Sequence, residues 1–372
     1  MNNPTLTDYL FHKAGRRHIP FSGTFEVSPL CNFDCRMCYV KQTPGDLARA
    51  ERGLMSPRWW NSIARQARDA GMLYALITGG EPLLWEGFWD LYETMADLGV
   101  LVSVNTNGSL LDEEAVCRFR RRPPKRVNIT LYGAGDDTYR RLCGPGQMFD
   151  RVDRNIRALR AAGIPVKIHC SLTPDNVHDL EAIVAYAREQ ELPLAATSYM
   201  FPPVRRDPSM AGQNNRFTPE EAARYRLRAM ELQCSREHYL SYLEQLCRGN
   251  LEPPGLDEGC VDPLDGKIRC RAGTAAFWIT WDGFMTPCGM MPEPRTDLSE
   301  GDFSAGWQEL TRLAAQVRLS GACEGCANRE ICHPCGAMAL AETGSLTGIP
   351  TYLCRMARQM QCIARDTLNQ EK

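Results

Sequence analysis

Between Gly23 and Met200 the chain repeats one unit: a short apolar, β-branched run, then a helix-like stretch. The runs are GTFEVSP, MLYALIT, VLVSVNT, RVNITLY, IPVKIHCSL and LPLAATSYM. Strands separated by helices cannot pair as hairpins, so the pattern predicts a parallel sheet built from βα units and covered by the helices. The helices carry their own punctuation. Ser56 reads as an N-cap with Pro57 in the first turn, and Gly71 closes that helix.

The unusual residues stand immediately after each run: CNFDCRMC, GGEP, NTNG, LYGAG, TPDN and FPPVRR. Chemistry gathered at the carboxyl ends of strands is the barrel-face arrangement. A dinucleotide-binding sheet would place G-x-G-x-x-G after its first strand, where this chain has three cysteines. The expected class is therefore α/β, a partial (β/α)6 barrel of the TIM type. After Arg216 the texture changes: Thr218, Pro219, Glu220 and Glu221 open a long helical stretch, and LEPPGLDEG reads as a linker with the boundary near Pro254. The partition is then a lead-in over 1–22, the barrel over 23–216, a helical linker over 217–254 and a second domain over 255–372. That last segment is dense in cysteine, with scattered Gly and Pro and modest periodicity, a composition better held by metal than by a large core.

A net charge of -2 gives no electrostatic reason for nucleic acid as partner. No apolar run reaches membrane-spanning length and the amino terminus lacks a signal-peptide pattern, so a cytoplasmic protein without a membrane partner is expected. In such a reducing compartment, 17 cysteines in short clusters point to metal instead of disulfides. Cys31, Cys35 and Cys38 form C-x3-C-x2-C after the first strand. Three thiolates hold three corners of a 4Fe-4S cube and leave one iron open; a structural zinc site instead takes four ligands and C-x2-C pairs.

With Tyr39 after these cysteines, and Gly79, Gly80, Glu81 and Pro82 one strand later, the chain resembles the radical S-adenosylmethionine (SAM) superfamily. The resemblance implies SAM chelated at the open iron and cleaved by one electron to a 5'-deoxyadenosyl radical, with position and dryness supplied by the protein. It places the methionine ammonium at Gly79–Pro82, whose glycines let backbone approach the ligand. It also places Tyr39, Asn105, Asn107, Thr130 and Arg141 around SAM. Many relatives have Ser-Leu-Asp-Gly where this chain reads Thr130, Leu131, Tyr132 and Gly133.

Downstream, Cys270, Cys288 in DGFMTPCG, Cys323, Cys326, Cys332, Cys335 and Cys354 resemble the SPASM extension of peptide-modifying radical enzymes. One departure is the C-x2-C spacing from Cys332 to Cys335, where three intervening residues are usual. The resemblance implies two auxiliary 4Fe-4S clusters, for three in all: Cys323, Cys326, Cys332 and Cys354 on one, and Cys270, Cys288 and Cys335 on the other, whose fourth position is taken by Cys260 or left open for a substrate thiolate or amide. Zinc-ribbon binding is the alternative for the C-x2-C pairs. Cys117, Cys143, Cys170, Cys234, Cys247 and Cys362 read as small buried hydrophobes, with Cys170 or its neighbour His169 facing the barrel interior.

Three reactions compete: hydrogen abstraction from a ribosomally made peptide, giving a crosslink or an oxidised centre; formylglycine formation in a sulfatase; and dehydrogenation or epimerisation of a small metabolite. Sulfatase-maturating enzymes carry an aspartate after the cysteine equivalent to Cys288, and Gly289 stands here. The metabolite enzymes generally have a shortened extension. The peptide reading is thus preferred, with no acid or base assigned. It implies an external electron donor such as flavodoxin or ferredoxin. Only a short lead-in precedes the first strand, so a peptide is expected to be recognised by the barrel mouth, by the extension or by a separate leader-peptide-binding protein. Arg205 and Arg206 in FPPVRR are expected on a loop, either solvated or meeting acidic residues of a peptide.

Overall fold

The computed structural model describes residues 5–249 and 270–371. Six strands, β1 (Ser22–Glu26), β2 (Tyr74–Thr78), β3 (Leu101–Thr106), β4 (Arg126–Thr130), β5 (Val166–Ser171) and β6 (Leu194–Thr197), lie side by side in chain order with every neighbouring pair parallel. This is the partial (β/α)6 barrel expected from the six apolar runs. Phe25, Ile77, Val104, Val127, Ile129 and Ile168 are buried under the helices. The alternate positions Thr24, Leu76, Ser103, Asn105, Asn128, Lys167 and His169 take the inside of the arc.

The helix Pro57–Asp69 illustrates how the cover forms. Ser56 caps it by accepting from the Trp59 amide, Pro57 opens it, and Gly71 turns the chain out at φ +116°. Trp60, Ile63, Ala64 and Ala67 form its buried stripe. Burial of a side chain as large as Trp60 stabilises the fold by roughly 2–3 kcal/mol, and the serine cap adds about 1 kcal/mol.

Two features differ from the sequence reading. The sheet does not stop at the barrel: β7 (Ala276–Ile279) pairs parallel with β1, and β8 (Phe284–Thr286) and β9 (Thr296–Asp297) follow antiparallel. The β7–β8 turn carries Asp282 and Gly283, the latter at φ +85°, which is a recognisable hairpin signal beside the alternating AFWI. Gly23 is required at this junction, because a Cβ there would lie 2.3 Å from the Phe277 ring.

The stretch expected as a helical linker is two helices, Pro219–Gln233 and Arg236–Arg248, packed into the main core with the C-terminal helix Thr351–Gln370. Leu227, Leu243 and Leu246 are buried in that core together with Tyr352, Met356 and Met360. The Tyr352 hydroxyl donates to the Phe217 carbonyl at 2.8 Å. A smaller separate core of Ala272, Met291, Ala314, Val317 and Ala337 supports the C-terminal cysteines. Among the described residues no helix is long and apolar enough to cross a membrane.

Candidate metal centres and cofactor site

The loop after β1 is fixed by its neighbours before any ligand is considered. Asp34 and Arg36 amides donate to the carbonyls of Cys143 and Leu142 at 2.7 and 3.1 Å, stitching the loop to the end of helix Asp136–Cys143. Cys31, Cys35 and Cys38 are half-buried. The Phe33 amide points at Cys31 Sγ and the Lys41 amide at Cys38 Sγ, each at 3.3 Å, the kind of donor that favours thiolate sulfur. Burial pushes the Cys31 thiol up to about 12, with Cys35 and Cys38 adding to the shift, so the three sulfurs lie within electrostatic reach of one another. Cys35 is lowered chiefly by its contact with the Cys143 thiol. Cys143 was expected to be an ordinary buried cysteine; nothing in its own sequence context marks this contact. Among the described residues, no three His, Cys, Asp or Glu side chains are arranged as a single-ion shell. A set of three neighbouring thiols, two of them met by amide donors, fits a thiolate-ligated iron-sulfur cluster.

The GGEP segment packs directly on that loop. Gly80 and Glu81 amides donate to the carbonyls of Ser28 and Leu30, both at 2.8 Å. A Cβ on Gly79 or Gly80 would lie 2.4 Å from those same carbonyl oxygens. The glycines thus serve the approach of backbone to the cysteine loop, where the sequence reading had them approach a ligand. Glu81 is fully buried, and its carboxylate accepts from Thr106 Oγ1 at 2.9 and 3.0 Å, the Asn107 amide at 2.8 Å and the Leu83 amide at 3.1 Å. Burial raises its carboxyl to about 7 against these stabilising donors. It is a rivet between the ends of β2 and β3, and Pro82 begins the single 3-10 turn behind it.

Asn107 continues the clamp: its Nδ2 donates to Asn32 Oδ1 at 2.9 Å and lies 3.8 Å from Cys31 Sγ, while Ser109 donates to its Oδ1. Asn32 and Ser109 were not singled out by the sequence, although both flank motifs that were. Asn105 is turned along the inner wall, accepting from Asn128 at 2.8 Å. Thr130 stands at the end of β4 opposite His169. The structure does not bring Arg141 to this group: it lies on the exposed side of its helix, 3.2 Å from Thr138 Oγ1 and 2.6 Å from His178 Nε2.

Tyr39 points elsewhere. Its phenol is pushed above the ordinary range by burial and then by Glu26, and it lies within electrostatic reach of Cys38 and Cys288. Glu26 forms a buried two-pronged ion pair with Arg205, at 2.8 and 2.9 Å, and also accepts from Trp278 Nε1. Arg205 further donates to the Gly289 carbonyl, and Arg206 to the Cys38 carbonyl. Arg205 is therefore committed within the chain, which corrects the expectation of a solvated or peptide-facing side chain there, whereas Arg206 stays exposed.

The C-terminal cysteines fall into two groups. Cys332 is raised to about 12 by burial and then by Cys354, Cys326 and Cys323. Cys335 is raised to about 12 by burial, with Cys270 and Cys288 adding to the shift. What separates Cys332 from Cys335 is His333, a left-handed residue (φ 43°) that ends helix Arg329–Cys332, after which Cys335 caps helix Gly336–Thr343. One reversal sends Cys332 and Cys335 to different cysteine groups despite the short C-x2-C spacing. Cys260 lies outside the described residues. Cys170 is buried in the core and His169 takes the barrel side.

Comparison with known proteins accords with this geometry. Residues 25–187 match the Radical SAM superfamily. The mycofactocin maturase MftC of Mycobacterium tuberculosis is 26% identical over 341 residues, 89% of this chain and 81% of that protein. The AdoMet-dependent heme synthase of Methanosarcina barkeri is 23% identical over 333 residues, 86% and 92% of the respective chains. Streptococcus suis SuiB, in a crystal structure with precursor peptide SuiA, superposes with a TM-score of 0.68 at 19% identity, covering 95% of this chain and 82% of that one. Residues 25–187 of the barrel thus match a radical SAM domain, and the fold of the chain is that of the solved SuiB structure. SAM and a 4Fe-4S cluster go with that domain.

Proposed function

We propose that this chain is a radical SAM enzyme of SPASM type that modifies a ribosomally made peptide by hydrogen abstraction. The observation that carries the reading is the division of the C-terminal cysteines at His333 into two groups, beside a three-cysteine loop on a radical SAM barrel. Cys31, Cys35 and Cys38 would hold the SAM-binding cluster. Cys323, Cys326, Cys332 and Cys354 would hold one auxiliary cluster, and Cys270, Cys288, Cys335 and Cys260 the other. The barrel would occupy 23–216 and the auxiliary domain 255–372, with the helices between them part of the packed body. Among relatives, MftC is named a maturase and the SuiB structure contains a precursor peptide. The heme synthase name marks a small-molecule alternative; the full set of C-terminal cysteines favours the peptide.

Cys31, Cys35 and Cys38 would hold the cluster, and SAM with it would supply, on one-electron reduction, the hydrogen-abstracting chemistry. The chain's part is to hold that ligand still and dry. Backbone of Gly79–Pro82 would receive the methionine ammonium, with the Glu81 carboxylate already committed to Thr106 and Asn107. Asn107 and Asn32 fix Cys31, Asn105 and Thr130 offer polar atoms along the wall, and Tyr39 stands between the two metal regions. Electrons come from an external donor of flavodoxin or ferredoxin type, and a separate protein delivers the peptide leader. The test is anaerobic incubation with SAM, reductant and a short peptide encoded beside this chain. Formation of 5'-deoxyadenosine with a peptide that has lost hydrogen supports the proposal; turnover of a small metabolite with the peptide untouched contradicts it.

A further inference from the structure

Among the described residues, Arg126 on β4 and Lys167 on β5 bring positive charge to the inner wall of the barrel with no carboxylate in ion-pair contact. Register places Asn128 beside Lys167 and Thr130 beside His169, so Arg126 on β4 shares the concave face with Lys167 and His169 on β5. Arg126 Nε donates to Asn128 Oδ1 at 2.8 Å. Among the described residues, Lys125, Arg126 and Lys167 have no carboxylate within ion-pair distance. They oppose one another instead. Burial and then Arg126 lower the Lys167 ammonium, and burial followed by Arg126 and Arg271 lowers that of Lys125. Burial, then Lys167 and Arg126, lower His169 to about 4, and its buried Nε2 has no hydrogen-bond partner among the described residues.

These strands open at their amino-terminal ends on a cavity of about 330 Å³, lined by Tyr74, Ser103, Lys125, Arg126, Asn128 and Arg271. Asp8 is the carboxylate on its wall. Its Oδ2 already accepts from Thr5 N and Oγ1, at 3.0 and 2.6 Å, and its Oδ1 lies 3.9 Å from Arg271, which also stacks on Phe11. Like charges gathered on a partly buried wall oppose folding, and a bound anion removes that opposition. Arg126 presents the planar fork suited to two oxygens at once.

We propose that the amino-terminal end of the barrel is an oxyanion site, taking a carboxylate or phosphate group on Arg126 and Lys125, with Lys167 behind them. It lies a strand's length, roughly 16 Å, from the cysteine loop, and it stands independently of the peptide reading. The full-length chain, prepared anaerobically, is titrated with tripolyphosphate or with tricarballylate at ionic strength fixed by KCl, followed by calorimetry and thermal melting. The expected result is saturable binding with the melt raised by a few degrees, weakened at least tenfold in Arg126→Gln. The tighter probe identifies the source as a phosphate-bearing metabolite or a carboxylate. Lys167→Met is the second variant: it removes a repelling charge, so the anion-free protein melts no lower than wild type while anion affinity falls. The proposal is overturned if neither probe binds saturably, if both variants bind as wild type does, or if Lys167→Met melts well below wild type without anion.

Discussion

Around Cys31, Cys35 and Cys38 the polypeptide itself is the scaffold: two amide-to-sulfur bonds, two stitches to helix Asp136–Cys143, and the buried Glu81 and Asn107 clamps behind them. Around Cys323, Cys326 and Cys332 the chain offers two helices of four residues each, Gly321–Glu324 and Arg329–Cys332, tied to the main core through Ile331 and beside Cys354 on the long helix Thr351–Gln370, while the small core that meets Cys288 and Cys335 is mostly alanine. Helices that short have no stability of their own. On the proposed reading, the difference teaches that the barrel preforms the three-cysteine site, whereas the short helices of the extension would depend on their clusters for shape.

The largest test of that contrast is Cys332→Ala. Loss of one auxiliary cluster should lower iron from about twelve to about eight per chain and remove on the order of 10 kcal/mol of local stabilisation. Limited proteolysis should then cut the extension while the barrel stays protected. Equal loss of protection in both regions would break the comparison. Next comes Arg205→Met, which strands the buried Glu26 carboxylate at the junction of the two regions. We expect a loss of about 3–5 kcal/mol by denaturant unfolding, largely recovered in the Glu26→Gln/Arg205→Met double variant.

Glu81 gives a smaller effect with a defined pH sign. Its folded value near 7 lies above the ordinary 4.5 because burial disfavours the carboxylate. The folded state therefore holds the proton more tightly, and stability of the cluster-free barrel should fall by about 3 kcal/mol as pH rises from about 4.5 to 7, then level off. Glu81→Gln should remove that slope in pH-dependent melting. The smallest effect is Ser56→Ala, remote from both metal regions, which should cost about 1 kcal/mol with SAM cleavage unchanged.

The six strands were legible because each joins β-branched alternation to turn residues at its carboxyl end, and the cysteine groups because their spacing is dense and local. What escaped depends on partners far away in sequence. Nothing near Arg205 announces Glu26, and nothing near Cys143 announces Cys35. Arg141 was misplaced since one helical position decides whether a side chain faces the ligand or His178. The glycines of GGEP were rightly singled out for a close approach, but the surface they approach is the Ser28–Leu30 backbone. β7 was missed although its alternation is as clear as that of the barrel strands, because the surrounding cysteines drew the reading toward metal.

The central claim is that the loop after β1 holds a cluster with one iron left for SAM. Electron paramagnetic resonance of the reduced chain, kept free of oxygen and with both auxiliary sites filled, measures this directly when SAM is added. A change in the signal of one cluster, absent in Cys35→Ala, is predicted. A spectrum indifferent to SAM, or a SAM response that survives in Cys35→Ala, would contradict it.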